Sequence, residues 1–167
     1  MDDFEDTFDF VCERAPMLFK KDGFHTNMLF FGMNGKRGAW PLIYDSEQEK
    51  EALYILLEYS IKGCADWYIQ IAEAWVISGH LDDALGALRP SLNQKRDEAL
   101  MIFGRHIDGR ILSRYWKIVR PLGAGVYLEP WTESPKRVWS LLDKIMLGID
   151  QPAPMRVDDN NRLRIND

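Results

Sequence analysis

The residues best suited to chemistry are Glu73 and the arginines that follow it. Apolar and polar residues alternate between Asp66 and Ile77, so a strand there puts Trp67, Ile69, Ile71, Glu73 and Trp75 on one face. A carboxylate on such a face is costly unless it is paired. The guanidinium of Arg89, Arg96 or Arg105 can pair it through two parallel hydrogen bonds. Glu73, Trp75, Arg89, Arg96 and Arg105 therefore form a candidate structural ion pair that pins the 78–97 excursion to a sheet. The alternative is a small-ligand pocket, or an enzyme site, built around the same charges.

Other reactive residue types are poorly arranged for catalysis. His25, His80 and His106 lie far apart and show neither His-x-x-x-His nor His-Glu-x-x-His spacing, so no metal site is expected. No Gly-x-Ser-x-Gly elbow occurs. Cys12 falls on the apolar face of the first segment, where an inert core thiol is expected. Cys64 follows a helix terminator, where the dipole raises a thiol pKa. No catalytic residue and no cofactor is assigned. The run Arg120-Pro-Leu-Gly123-Ala-Gly125 resembles the pyrophosphate loop of GNAT-type acetyltransferases. Such a loop binds anions where backbone amides open a helix. Here Val126–Glu129 reads as a strand, so the glycines are read as a relaxed bend or bulge.

Two charged surfaces are candidates for contact. Asp2, Asp3, Glu5, Asp6 and Asp9 crowd the first segment, and Asp2, Asp3 and Asp6 are offered as a negative interaction surface for a basic partner. Farther on, Arg110, Leu112, Arg114, Trp116, Ile118 and Arg120 alternate with Ile111, Ser113, Tyr115, Lys117 and Val119. Arg110, Arg114 and Trp116 thus belong to a basic–aromatic stripe of the kind single-stranded nucleic acids stack upon. The chain has a net charge of −5 and a sequence pI near 5.2, which disfavours a dedicated polyanion binder. A protein partner is expected and nucleic acid is the weaker alternative.

Elements able to position these residues can be read in order. A helix is expected over Asp3–Ala15, ending at Pro16, from the stripe Phe4, Phe8, Val11, Cys12 and Ala15. His25–Phe31 and Ala39–Tyr44 are strands joined through Asn34-Gly35, whose residues tolerate positive φ. Ser46 and Glu49 make a capping box for a second helix that closes at Gly63, with Leu53, Leu56, Leu57 and Ile61 inward. Strands follow at Asp66–Ile77, Glu98–His106, Arg110–Arg120 and Val126–Glu129, with Asp108-Gly109 turning the middle pair. Ser134-Pro135 opens a third helix whose stripe is Val138, Leu141, Leu142 and Ile145 and whose stop is Gly148.

With 167 residues, one domain over 1–150 and a polar tail over 151–167 are expected. The fold class is α+β: a mainly antiparallel five- or six-stranded sheet with three packed helices, in the order α-β-β-α-β-β-β-α. That order resembles the roadblock and profilin-like folds, which often pair through an edge strand or helix. The resemblance implies a homodimer, with the 105–120 hairpin or the first helix at the contact. Glu73-Ala-Trp75, Arg89-Pro-Ser91, the run from Arg96 and Asp108-Gly-Arg110 resemble a group of small bacterial and phage proteins. That likeness implies a phage or mobile-element origin but no activity. Two cysteines and an acidic start without a leader pattern fit the cytoplasm, and no apolar run is long enough to span a membrane. The expected function is a non-enzymatic interaction or regulatory module.

Overall fold

In the computed structural model, which describes residues 3–77, 96–131, 141–149, 156–157 and 163–164, the first apolar stripe forms helix α1 (Asp3–Asp22). The helix passes through Pro16 instead of ending there, which corrects the expected boundary. A proline inside a helix removes one hydrogen bond and costs about 3 kcal/mol. Phe19 lies one turn beyond Ala15 on the same stripe and is fully buried, which returns about 1.5–3 kcal/mol. Gly23, at φ 77°, ends the helix and its N–H meets the Phe19 carbonyl at 2.8 Å.

Strands β1 (Met28–Met33) and β2 (Lys36–Pro41) form a hairpin around Asn34-Gly35, whose φ values are 53° and 69°. Two positive-φ residues match the twist of the flanking strands and restart β2 at Lys36, three residues earlier than Ala39. Helix α2 (Glu47–Ile61) begins as the capping signal requires, with the Ser46 hydroxyl accepting from the Glu49 N–H at 3.1 Å. The Glu49 carboxylate reaches back to the N–H of Asp45. Lys62 (φ 52°) and Gly63 (φ 68°) both turn left-handed to stop it. Strands β3 (Trp67–Ile77), β4 (Arg96–His106), β5 (Ile111–Val119) and β6 (Tyr127–Pro130) follow. Helix α3 is described over Leu141–Leu147, and the expected opening at Ser134-Pro135 lies outside the described residues. Within the expected tail, β7 (Arg156–Val157) pairs with β8 (Leu163–Arg164).

The fold is α+β, broadly in the expected element order with a fourth strand, β6, before α3, and its six-stranded antiparallel sheet is ordered β2-β1-β3-β4-β5-β6. Its two faces are covered by different helices. Phe4, Phe8, Val11 and Phe19 of α1 pack on Trp67, Ile69, Ile71, Leu100, Ile102 and Ile118. On the opposite face Leu57 and Ile61 of α2 and Leu142, Ile145 and Met146 of α3 pack on Leu29, Tyr68 and Phe103. Among the described residues, one helix therefore serves the first face and two the second. Leu56 and Leu141, expected to face inward, are about half exposed.

Candidate functional site

Strand pairing decides which charges can meet. Tyr68 stands opposite Arg105, and Glu73 stands opposite Leu100. Directly opposed residues share a face and neighbours alternate, so Glu73 lies on the α1 face and Arg105 on the other. The expected pairing of Glu73 with Arg105 is thus corrected. Glu73 instead accepts the His25 N–H at 2.6 Å through Oε1 and has Arg120 Nη2 3.6 Å from Oε2. Arg120 also grips Glu98 through two bonds of 2.8 and 2.7 Å, which raises its pKa above the ordinary value. Trp75 and Arg96 occupy register positions opposite Glu98 and Ile77, while Arg89 and Asp2 lie outside the described residues.

Glu73 ties the chain before β1 to the middle of the sheet. Glu73→Gln keeps an oxygen for the His25 N–H and leaves Arg120 its Glu98 partner, so it should cost under about 1 kcal/mol. Glu73→Ala strands that N–H and should cost about 1–2 kcal/mol in urea unfolding. Equal costs for the two would show that the hydrogen bond does not hold the segment.

Arg105 has a partner that sequence reasoning missed. Asp143 on α3 is fully buried, accepts the Tyr68 hydroxyl at 2.6 Å through Oδ1 and takes Arg105 Nη1 at 3.1 Å through Oδ2. Among the described residues, Arg105 Nε is buried with no hydrogen-bond partner. This triad fixes α3 to β3 and β4.

The two charged surfaces meet at the Arg110–Glu5 pair. Asp3 pairs with Arg37, which raises the pKa of Arg37 chiefly through that hydrogen bond, whereas Asp6 is exposed. Arg110 bonds Glu5 at 3.1 Å and Asp108 at 2.8 Å, and its guanidinium lies 5.7 Å from the centre of the Phe4 ring. Asp108 is held below the usual carboxylate range, first by the N–H of Arg110. Arg114 is exposed, while Trp116 is half-buried against the α1 core and pairs with Pro130. The basic–aromatic stripe is therefore split between ion pairs and core packing.

The two thiols differ sharply. Burial pushes the Cys12 thiol up to about 12, and Cys64 is exposed. A thiol reagent should label Cys64 alone in the folded protein and both after unfolding. The buried thiol binds its proton more tightly than the unfolded one, which ionises near 9. Its contribution is fully present below pH 9 and falls as pH rises towards 12, by about 1.4 kcal/mol per unit. Cys12→Ala should lack that component of the alkaline slope. Among the described residues no three of His, Cys, Asp or Glu gather to hold a metal ion, and no helix is long and apolar enough to cross a membrane.

An open concavity lies elsewhere, between α1 and β1. It is an open groove of about 700 Å³. Its floor is Val11, Ala15, Met28, Phe30 and Ile71, and one bank carries Phe10, Met17 and Leu18 of α1. Phe24 and His25 close one end, so the Glu73 bond to His25 also shapes the groove. Phe10 and Met17 are more than half exposed (55% and 57%), as are their neighbours Phe24 and, nearly so, Leu18. Arg14 and Lys21 stand on the same bank, with Asp22 the one carboxylate among the described lining residues. Beyond Phe10 and Phe30 the depression continues over Thr7, Gly38 and Trp67. Among the described residues, α1 covers β3 to β6 and no helix packs on β1 and β2 on that face, which leaves the groove open. Its sequence signal is a second apolar row on α1, Phe10 and Met17 two turns apart, beside the buried stripe.

Compared with known proteins, the chain matches no family model, no curated protein and no solved structure.

Proposed function

We propose that this chain is a non-enzymatic interaction module and that the groove between α1 and β1 is its binding site, taking an apolar segment of a protein partner. The observation that carries the reading is the groove's lining. Phe10, Met17, Leu18 and Phe24 present large apolar surface beside a floor of core residues. Contiguous apolar surface of this kind marks interaction sites, since isolated exposed apolar residues need no such floor. The ionisable groups support the same reading. Arg120 pairs with both Glu73 and Glu98, and Asp143, Arg105 and Tyr68 hold a helix in place.

A fluorescent apolar anion such as anilinonaphthalene sulfonate tests the groove directly. Its emission should rise on binding the folded protein, and Met17→Glu should lose that rise with an unchanged Tm. Met17 is exposed, so the substitution disturbs only the bank. A wild-type protein that gives no rise, or a variant that keeps it, would sink the groove as a site.

A further inference from the structure

Helix α2 carries an apolar row with no described cover. Leu57 and Ile61 point into the core, yet Ile55 and Tyr59 are 67% and 74% exposed and Leu56 is half exposed. Ala52, Ile55, Leu56 and Tyr59 recur at helical spacing on the side away from the sheet. Glu51 and Glu58 run along one flank of that row. The groove has the complementary pattern: Phe10 and Met17 form an apolar row seven residues apart, and Arg14 and Lys21 form a basic row at the same spacing. Glu51 and Glu58 are also seven residues apart, as are Ala52 and Tyr59. Each interval is about 10.5 Å along a helix, so one alignment brings both charge pairs together. The stretch of α1 from Thr7 to Lys21 spans about 21 Å, and the α2 row needs about 11 Å of it.

From this match we infer that the groove's occupant is helix α2 of a second copy of this chain. The inference rests on the groove reading above and adds the partner. Docked there, α2 would cover β1 and β2 beside α1, where no helix packs among the described residues. The groove and the α2 row belong to opposite faces of the sheet. One contact therefore leaves each copy with one surface still open. The association is heterologous, and it runs on into a chain or closes into a ring.

Sedimentation velocity tests this with two exposed-surface variants, Phe10→Glu/Met17→Glu in the groove and Ile55→Asp/Tyr59→Asp on α2. Wild type should form species that pass dimer size as concentration rises to several hundred micromolar. Each variant alone should stay monomeric with native circular dichroism. An equimolar mixture should give a one-to-one dimer and nothing larger, because only one working pair of surfaces remains. The swap Arg14→Glu/Lys21→Glu should weaken association at least tenfold, and adding Glu51→Lys/Glu58→Lys to the same chain should restore it. Wild type that is monomeric throughout overturns the inference, as does a mixture that fails to dimerise. Association lost in the groove variant but kept in the α2 variant rejects α2 as occupant while the groove stands. Probe fluorescence without self-association separates the same two outcomes, pointing to a different partner or a small apolar ligand.

Discussion

Asp143→Ala should destabilise the protein by about 3–5 kcal/mol, the largest single loss expected outside the apolar core. The carboxylate is fully buried and accepts from the Tyr68 hydroxyl and from Arg105 Nη1. Truncating it leaves the Arg105 guanidinium, only 17% exposed, without its counter-charge and with Nε already unpartnered. An isolated buried charge costs far more than a buried pair returns, because water no longer solvates it. Replacing both partners, Asp143→Leu with Arg105→Met, should recover most of the loss. Urea unfolding of the four proteins in a double-mutant cycle measures the coupling. Additive costs would mean that water reaches Arg105 and that the pair does little to hold α3.

The contrast between Glu73 and Asp143 shows how much of the site was legible from residues alone. Glu73 advertised itself because a period-two strand placed a carboxylate among Trp67, Ile69 and Ile71. Its need for a partner was readable, but the partner was not. Choosing Arg120 over Arg105 requires the β3–β4 and β4–β5 registers, which set Glu73 and Arg105 on opposite faces. Asp143 sits in α3 among Leu142, Ile145 and Met146, where one acidic residue reads as a solvated position. Only the docking of α3 over Tyr68 and Arg105 reveals its burial.

The elements themselves were more legible, because caps and turns act locally. Ser46, Glu49, Gly63 and Asn34-Gly35 each perform the role their chemistry implies. Pro16 failed as a stop because burial of Phe19 one turn on offsets much of the local penalty. The groove was the least legible feature. It depends on where α1 lies across the sheet, a property of packing between elements distant in sequence.

That placement of α1 is set at its N-terminal end by Phe4, and Phe4→Ala should cost about 3–5 kcal/mol. The ring is fully buried, with centroids 6.0 Å from Trp67 and 5.6 Å from His106. It fills a recess that exists because residue 104 has no side chain. A Cβ built on Gly104 would stand 2.9 Å from Phe4 Cε2 and 3.1 Å from Ile69 Cγ1. Gly104→Ala should therefore overpack the wild-type core and cost about 1–3 kcal/mol. In the Phe4→Ala background the same methyl enters an empty recess, and its effect should reverse sign to a gain of about 0.5–1 kcal/mol. Thermal or urea unfolding of the two single variants and the double variant reads the reversal. If Gly104→Ala costs the same in both backgrounds, the recess does not hold Phe4. The anchor of α1 would then be the stacking with Trp67 and His106 and the Arg110–Glu5 pair above the ring.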